Sequence, residues 1–267
     1  MPEIIDAHTH LFPEKVADRA MEQLGAVYGV KPVRRPVVEE VVVEMDESGV
    51  TQSVYAPVST RPDQVQSINR FALELVDHPR IIPFGTLHPH YEDVPGEIER
   101  LLAGGVRGVK LQPYFQGFTF DDPATREMFA AIDDRLVVLM HGGQEIVTIE
   151  NVVPSGEGLA RLLDDFPALR MIVAHMGGYE MWEGVEEHLV GAPVYFDLSY
   201  TFDHAPDELI ADICSRHGWE RIVFGSDFPW QSQRDALAGL RRLDLDDTTF
   251  KAVAAGNLLR LLGKPPL

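Results

Sequence analysis

His8 and His10 flank Thr9, and alternate residues of an extended strand point the same way, so both imidazoles can face one target. Two neutral imidazoles at that spacing make half of a metal site. A third imidazole from His141 and a carboxylate from Asp227 would complete a nitrogen and oxygen donor set suited to Zn²⁺ or a similar divalent ion, with water in the remaining position. A lone His-x-His at a strand end is more often structural. Here it is joined by His175, His88, His90 and Lys110, each just past a short apolar run.

A bound substrate carboxylate would need a cationic partner, for which Arg61 and Lys110 are the candidates. His88 reads as a pocket-lining residue and Trp230 as either a pocket wall or packing under the rim. Tyr114, Phe115 and Phe118, interleaved with Gln112 and Gln116, suggest an apolar pocket bearing a few hydrogen-bonding groups, suited to a small cyclic substrate. Gly142, Gly143, Gly177 and Gly178 directly follow two of the histidines, where missing side chains would let backbone approach a metal or substrate. The other histidines, His78, His188, His204 and His217, fall in helices or loops and read as solvent-facing.

Residues so scattered converge only if the fold gathers them. β-branched runs predict strands over Ile4–Ala7, Gln52–Ala56, Ile81–Gly85, Gly108–Leu111, Val137–Met140, Met171–Ala174, Val194–Leu198 and Ile222–Phe224. Segments with helical spacing follow them, among them Val38–Ser48, Pro62–Val76, Pro95–Ala103, Pro123–Asp134, Gly158–Phe166, Tyr179–Leu189 and Pro206–His217, with a C-terminal pair over Gln231–Leu262. Repeated βα units imply parallel strands, and eight of them can close into a (β/α)₈ TIM barrel, whose chemistry lies at the strands' C-terminal ends. An open doubly wound sheet would show a Gly-rich phosphate loop after its first strand, where this chain has His-Thr-His. Residues 11–36 form an excursion too long for an ordinary βα loop, expected to lie over the active face. A single domain over 1–267 is expected.

The balance of 42 Asp plus Glu against 23 Lys plus Arg opposes a nucleic-acid partner, because phosphate contacts need clustered positive charge. The single cysteine, Cys214, excludes a disulfide scaffold and a thiolate zinc cluster. No apolar stretch long enough to span a membrane and no signal-peptide pattern occurs, so the expectation is a cytoplasmic protein with a small-molecule substrate and no membrane partner. A homodimer is expected by analogy with other barrels alone.

The motifs DAHTHLFP at 6–13, GVKLQP at 108–113, VVLMHGG at 137–143, VAHMGG at 173–178 and VFGSDFPW at 223–230 resemble the amidohydrolase superfamily. They are most similar to its amidohydrolase-related branch, which includes aminocarboxymuconate semialdehyde decarboxylase and related aromatic-acid decarboxylases. The resemblance covers essentially the whole chain. It implies that His8, His10, His141 and Asp227 ligate one divalent metal, usually zinc, that His175 positions or activates bound water, and that Asp227 relays a proton. Lys110 is then a substrate-side cation, with a carboxylated, metal-bridging lysine as the alternative. The resemblance implies a metal-dependent hydrolase acting on a small acid, amide or lactone through metal-activated water. The alternatives are a non-oxidative decarboxylase of an unsaturated or aromatic acid, and a non-catalytic metal-binding barrel.

Overall fold

The computed structural model describes residues 3–145 and 154–263; the remainder of the expected 1–267 domain lies outside the described residues. The strands are β1 (Ile5–Thr9), β2 (Gln52–Tyr55), β3 (Ile81–Pro83), β4 (Gly85–Thr86), β5 (Gly108–Leu111), β6 (Val137–Met140), β7 (Arg170–Val173), β8 (Tyr195–Asp197) and β9 (Ile222–Val223). Every named pair is parallel, in the orders β1-β2-β3 and β4-β5-β6-β7-β8-β9. β3 and β4 are one barrel strand interrupted at Phe84, whose N–H still donates to the Tyr55 carbonyl at 3.0 Å. The other seam closes where the Ala7 N–H donates to the Phe224 carbonyl at 2.8 Å and Thr9 bridges to Phe228 in parallel. Eight barrel strands result among the described residues, as the βα count predicts.

Side chains alternate along each strand, and the two faces separate into two cores. Val137 and Leu139 of β6 join Ile5, Val54, Ile172 and Val223 inside the barrel, while Val138 and Met140 pack outward under the helices. Strands buried on both faces read as continuous apolar runs, which is why these segments were legible. Phe84 fills the interior beside Gly108, where a Cβ would stand 2.5 Å from its ring. Leu258 and Leu262, from the C-terminal helical segment, extend the same inner cluster.

The excursion after β1 carries a helix at Glu14–Tyr28, ended by Gly29 in the left-handed conformation with its N–H on the Gly25 carbonyl. The chain then returns through the Phe12 N–H to Pro36 carbonyl bond to the helix Val38–Ser48. No helix among the described residues is long and apolar enough to cross a membrane.

Candidate active site

His8 lies at the end of β1, 1% exposed, with its Nδ1–H donating to Asp197 Oδ2 at 3.0 Å. That bond fixes the tautomer and turns the Nε2 lone pair toward Asp227 Oδ1, 3.4 Å away. Burial, aided by the Lys110 charge and only partly opposed by Asp197 and Asp227, pushes His8 down to about 4, so the ring is neutral at pH 7. A neutral imidazole is the ligating form.

His10 is held the same way by a different partner. Its Nδ1–H donates to the Ala56 carbonyl at 2.8 Å, and its Nε2 meets Asp227 Oδ1 at 3.0 Å. The two rings stand edge to face with centroids 5.0 Å apart. Asp227 occupies a left-handed backbone position, φ 70°, pinned by its own N–H on the His8 carbonyl and by the Trp230 N–H on its carbonyl, both 2.9 Å. Non-glycine residues in that region store backbone strain and cluster at functional sites. Burial would raise the Asp227 carboxyl, but the surrounding imidazoles of His8, His10 and His175 outweigh it and hold it well below the usual carboxylate range.

Three acceptor atoms, His8 Nε2, His10 Nε2 and Asp227 Oδ1, therefore converge with their N–H sides already committed to Asp197 and Ala56. Lone pairs so gathered repel one another unless a cation sits among them. Ligands each about 2.1 Å from one ion stand roughly 3.0–3.4 Å apart, and the observed separations from Asp227 match. The donor set fits a single divalent ion.

Lys110 projects from β5 into the same space, 2% exposed, with Nζ 3.2 Å from His8 Nε2. Burial pushes it down to about 8, with Asp197, Asp227 and Glu145 opposing. His141 and His175 complete the ring. The His141 Nε2–H donates to the Gln144 carbonyl at 3.0 Å and the His175 Nδ1–H to the Ser199 carbonyl at 3.0 Å. Their remaining nitrogens face each other at 3.2 Å, lone pair against lone pair, a position for a proton or a cation. Burial lowers both rings below the ordinary histidine range. His141 thus reaches the His8, His10 and Asp227 cluster through His175 rather than lying within it.

The glycines act on each other. A Cβ on Gly142 would stand 2.7 Å from the Gly177 carbonyl, and one on Gly143 would collide with the Tyr179 backbone, to which Gly143 is bridged. Their lack of side chains lets the loops after β6 and β7 touch, which brings His141 onto His175. The expected approach to a metal or substrate is replaced by this loop-to-loop approach.

Arg61 is not brought to the site: its guanidinium is 62% exposed and paired with Asp63. His88 is buried outside the cavity, its Nδ1 accepting the His90 N–H at 3.2 Å. Trp230 does line the cavity. The solvent-facing expectation for His217 is corrected: it is fully buried, stacked 3.9 Å from Phe196, with Nε2–H donating to the Val194 carbonyl and Nδ1 accepting the Gly191 N–H. It anchors a helix end where helical periodicity alone reads as surface.

Two carboxylates escaped the sequence reading. Asp197, ending β8, receives His8 Nδ1, the His175 N–H and the Ser199 N–H, and so ties two site histidines together. Asp6 accepts the His8 and Ser226 N–H groups on one oxygen and Gln233 Nε2 on the other, joining β1 to the Asp227 segment. Burial raises it to about 7 against these bonds. The available signal was position: Asp6 stands two residues before His8 on the same face of β1, and Asp197 is the last residue of β8.

A cavity of about 530 Å³ opens over these groups, with His8, His10, Lys110, His175 and Asp227 among its lining and Phe12, Tyr55, Phe71, Phe115 and Trp230 among its aromatic walls. Among the described residues lining it, Lys110 is the one lysine or arginine.

A family model described as amidohydrolase matches residues 5–264. The chain belongs to the amidohydrolase family. As an amidohydrolase it is an enzyme of the group that holds hydrolases and carboxy-lyases. The amidohydrolase is similar to 5-carboxyvanillate decarboxylase from Sphingomonas paucimobilis, at 17% identity and TM-score 0.74, over 99% of this chain and 100% of that one. It is similar to 2,6-dihydroxybenzoate decarboxylase from Rhizobium, at 13% identity and TM-score 0.72, over 98% and 99%. A 5-carboxyvanillate decarboxylase from Novosphingobium aromaticivorans, complexed with manganese and 4-hydroxy-3-methoxy-5-nitrobenzoic acid, is 18% identical with TM-score 0.75, over 98% and 96%. At these identities the likeness establishes the barrel fold. No curated protein sequence matches the chain.

Proposed function

We propose that this amidohydrolase is a carboxy-lyase that removes carbon dioxide, without oxidation, from an aromatic or unsaturated carboxylic acid. The observation that carries the reading is Lys110: one buried ammonium beside a convergent set of acceptors, at the base of a cavity with aromatic walls. A flat acid stacks on such walls while its carboxylate meets the cation. The three similar structures described above are named for decarboxylases of ring acids, which supports the same reading. Hydrolysis, foremost in the sequence, has the support of the family description.

His8, His10 and Asp227 would hold one divalent ion, with His141 and His175 beside it; zinc and manganese both suit such nitrogen and oxygen donors. When bound, the ion supplies positive charge that fixes and polarises an oxygen of the substrate. Lys110 neutralises the carboxylate during binding. The facing nitrogens of His141 and His175 take up a proton from solvent, and His175, whose burial makes its protonated form a ready acid, passes it to the ring carbon. The bond from that carbon to the carboxyl group then breaks, its electron pair restores the ring, and carbon dioxide leaves. Aromatic walls exclude water from the protonated ring.

The test is a panel of hydroxybenzoates and aryl esters, lactones and amides offered to protein loaded with zinc or manganese. Carbon dioxide release from a ring acid is expected. Cleavage of an ester, lactone or amide with no carbon dioxide from any acid would reverse the assignment.

A further inference from the structure

The helix Glu14–Tyr28 is amphipathic, yet Ala17 is the one described residue on it that is fully buried. Val16, Ala20, Gln23 and Leu24 recur at helical spacing and line the cavity, while Glu14, Lys15, Asp18, Arg19 and Glu22 do not. An apolar helix face needs something to bury it. Here it faces open space, across which stand Ile68 and Phe71, with Phe12 and Val30 also on the wall.

Among the described residues, charge is absent from this upper part. In a chain with 24% charged residues, the lysine, arginine and acidic side chains among the described residues lining the cavity are Lys110, Glu145 and Asp227, all at strand ends or the loops that follow them, beside the site histidines. The excursion and the helix Val65–Glu74 contribute uncharged groups alone to the lining. A cavity of about 530 Å³ lies within the range of about 300–1,000 Å³ that takes drug-sized ligands, more than a single ring with a carboxylate fills.

We infer that the substrate is a ring acid bearing an apolar substituent of several carbons, an alkyl chain or second ring, which lies between the excursion helix and the helix Val65–Glu74. The inference rests on the reading of the site as one for ring acids and adds the class of substituent. The carboxylate meets Lys110, and the substituent supplies the missing cover for Val16, Leu24, Val30, Ile68 and Phe71. Exposed Gln23 and Ser67, also on the lining, mark where the groove reaches solvent.

Calorimetric titration of manganese-loaded protein with 3- and 4-alkylbenzoates, from methyl to pentyl, tests it. Affinity is expected to rise about three- to fourfold per methylene in one of the two series, the value for a buried CH₂. Leu24→Asp and Ile68→Asp should each flatten that rise, whereas Val43→Asp, on an exposed surface valine, should leave it intact. Melting curves of each variant report folding separately. Flat series in the wild type, or a rise that survives both groove substitutions in folded protein, would overturn the inference. A rising series without carbon dioxide release from any ring acid keeps the groove and removes the carboxy-lyase reading. Release from an unsubstituted acid with flat series does the reverse.

Discussion

Asp197 Oδ2 accepts the Nδ1–H of His8 at 3.0 Å, so a carboxylate on β8 decides which nitrogen a residue on β1 offers to the site. Partners of this kind orient a metal-binding imidazole and raise its basicity. Asp197→Asn should therefore weaken metal binding about 10- to 100-fold while leaving every candidate ligand in the chain. Competition with a chelator of known affinity measures it; unchanged affinity would remove Asp197 from the site's support.

His8→Ala or His10→Ala should lose metal and activity together. Elemental analysis of extensively dialysed protein is expected to find about one equivalent in the wild type and far less in either variant. Stoichiometric metal retained by both would dissolve the proposed donor set.

Lys110→Met should keep the metal but raise KM for a ring acid about 10- to 100-fold, the cost of losing a charged hydrogen bond. Lys110 also sets a pH dependence in metal-free protein. Its folded pKa is about 8 against 10.5 for the free side chain, so between those values the unfolded chain binds more protons. Stability from this group rises as pH climbs from 8 to 10.5. Denaturant titrations across that window should show the rise in the wild type and not in Lys110→Met.

His217→Ala should cost about 2–4 kcal/mol, since it removes a ring stacked on Phe196 and two hydrogen bonds to backbone. Burial drives His217 down to about 4 from 6.5, so its stabilisation is complete above pH 6.5 and fades as pH falls toward 4. The gap in stability between wild type and variant should narrow over the same range. A constant gap would mean His217 acts by packing alone.

Gly143→Ala should destabilise the protein and separate His141 from His175, because the added carbon meets Tyr179 backbone that has no room to yield. Histidine NMR resonances would report the separation directly. Wild-type shifts in a folded variant would contradict the role assigned to this loop contact.

Much of the site was legible because barrel chemistry collects just past strands, and apolar runs mark those strands without an alignment. His8, His10, Lys110, His141, His175 and Asp227 all follow from that rule. Asp197 did not, because a carboxylate at the end of a short strand looks like any loop-edge acid until its partner, 189 residues away, is seen. Arg61 was misleading for a local reason: Asp63 captures its guanidinium two residues on. The helix Glu14–Tyr28 lies inside the excursion, where the sequence expectation was a long connection, although Val16, Ala20, Gln23 and Leu24 recur at helical spacing. His217 had no sequence signal separating it from an exposed residue in a helix's last turn.

The barrel closes where β1 meets the segment after β9, and His10 and Asp227, 217 residues apart, meet at that seam. During synthesis, then, the first imidazoles leave the ribosome long before their carboxylate exists. The 217 positions from His10 to Asp227 must be made before the cluster can assemble, and a chain cut short ahead of Asp227 would carry its histidines without a completed site. Metal capture becomes a late event, coupled to the slowest kind of contact a fold can make, the pairing of distant ends.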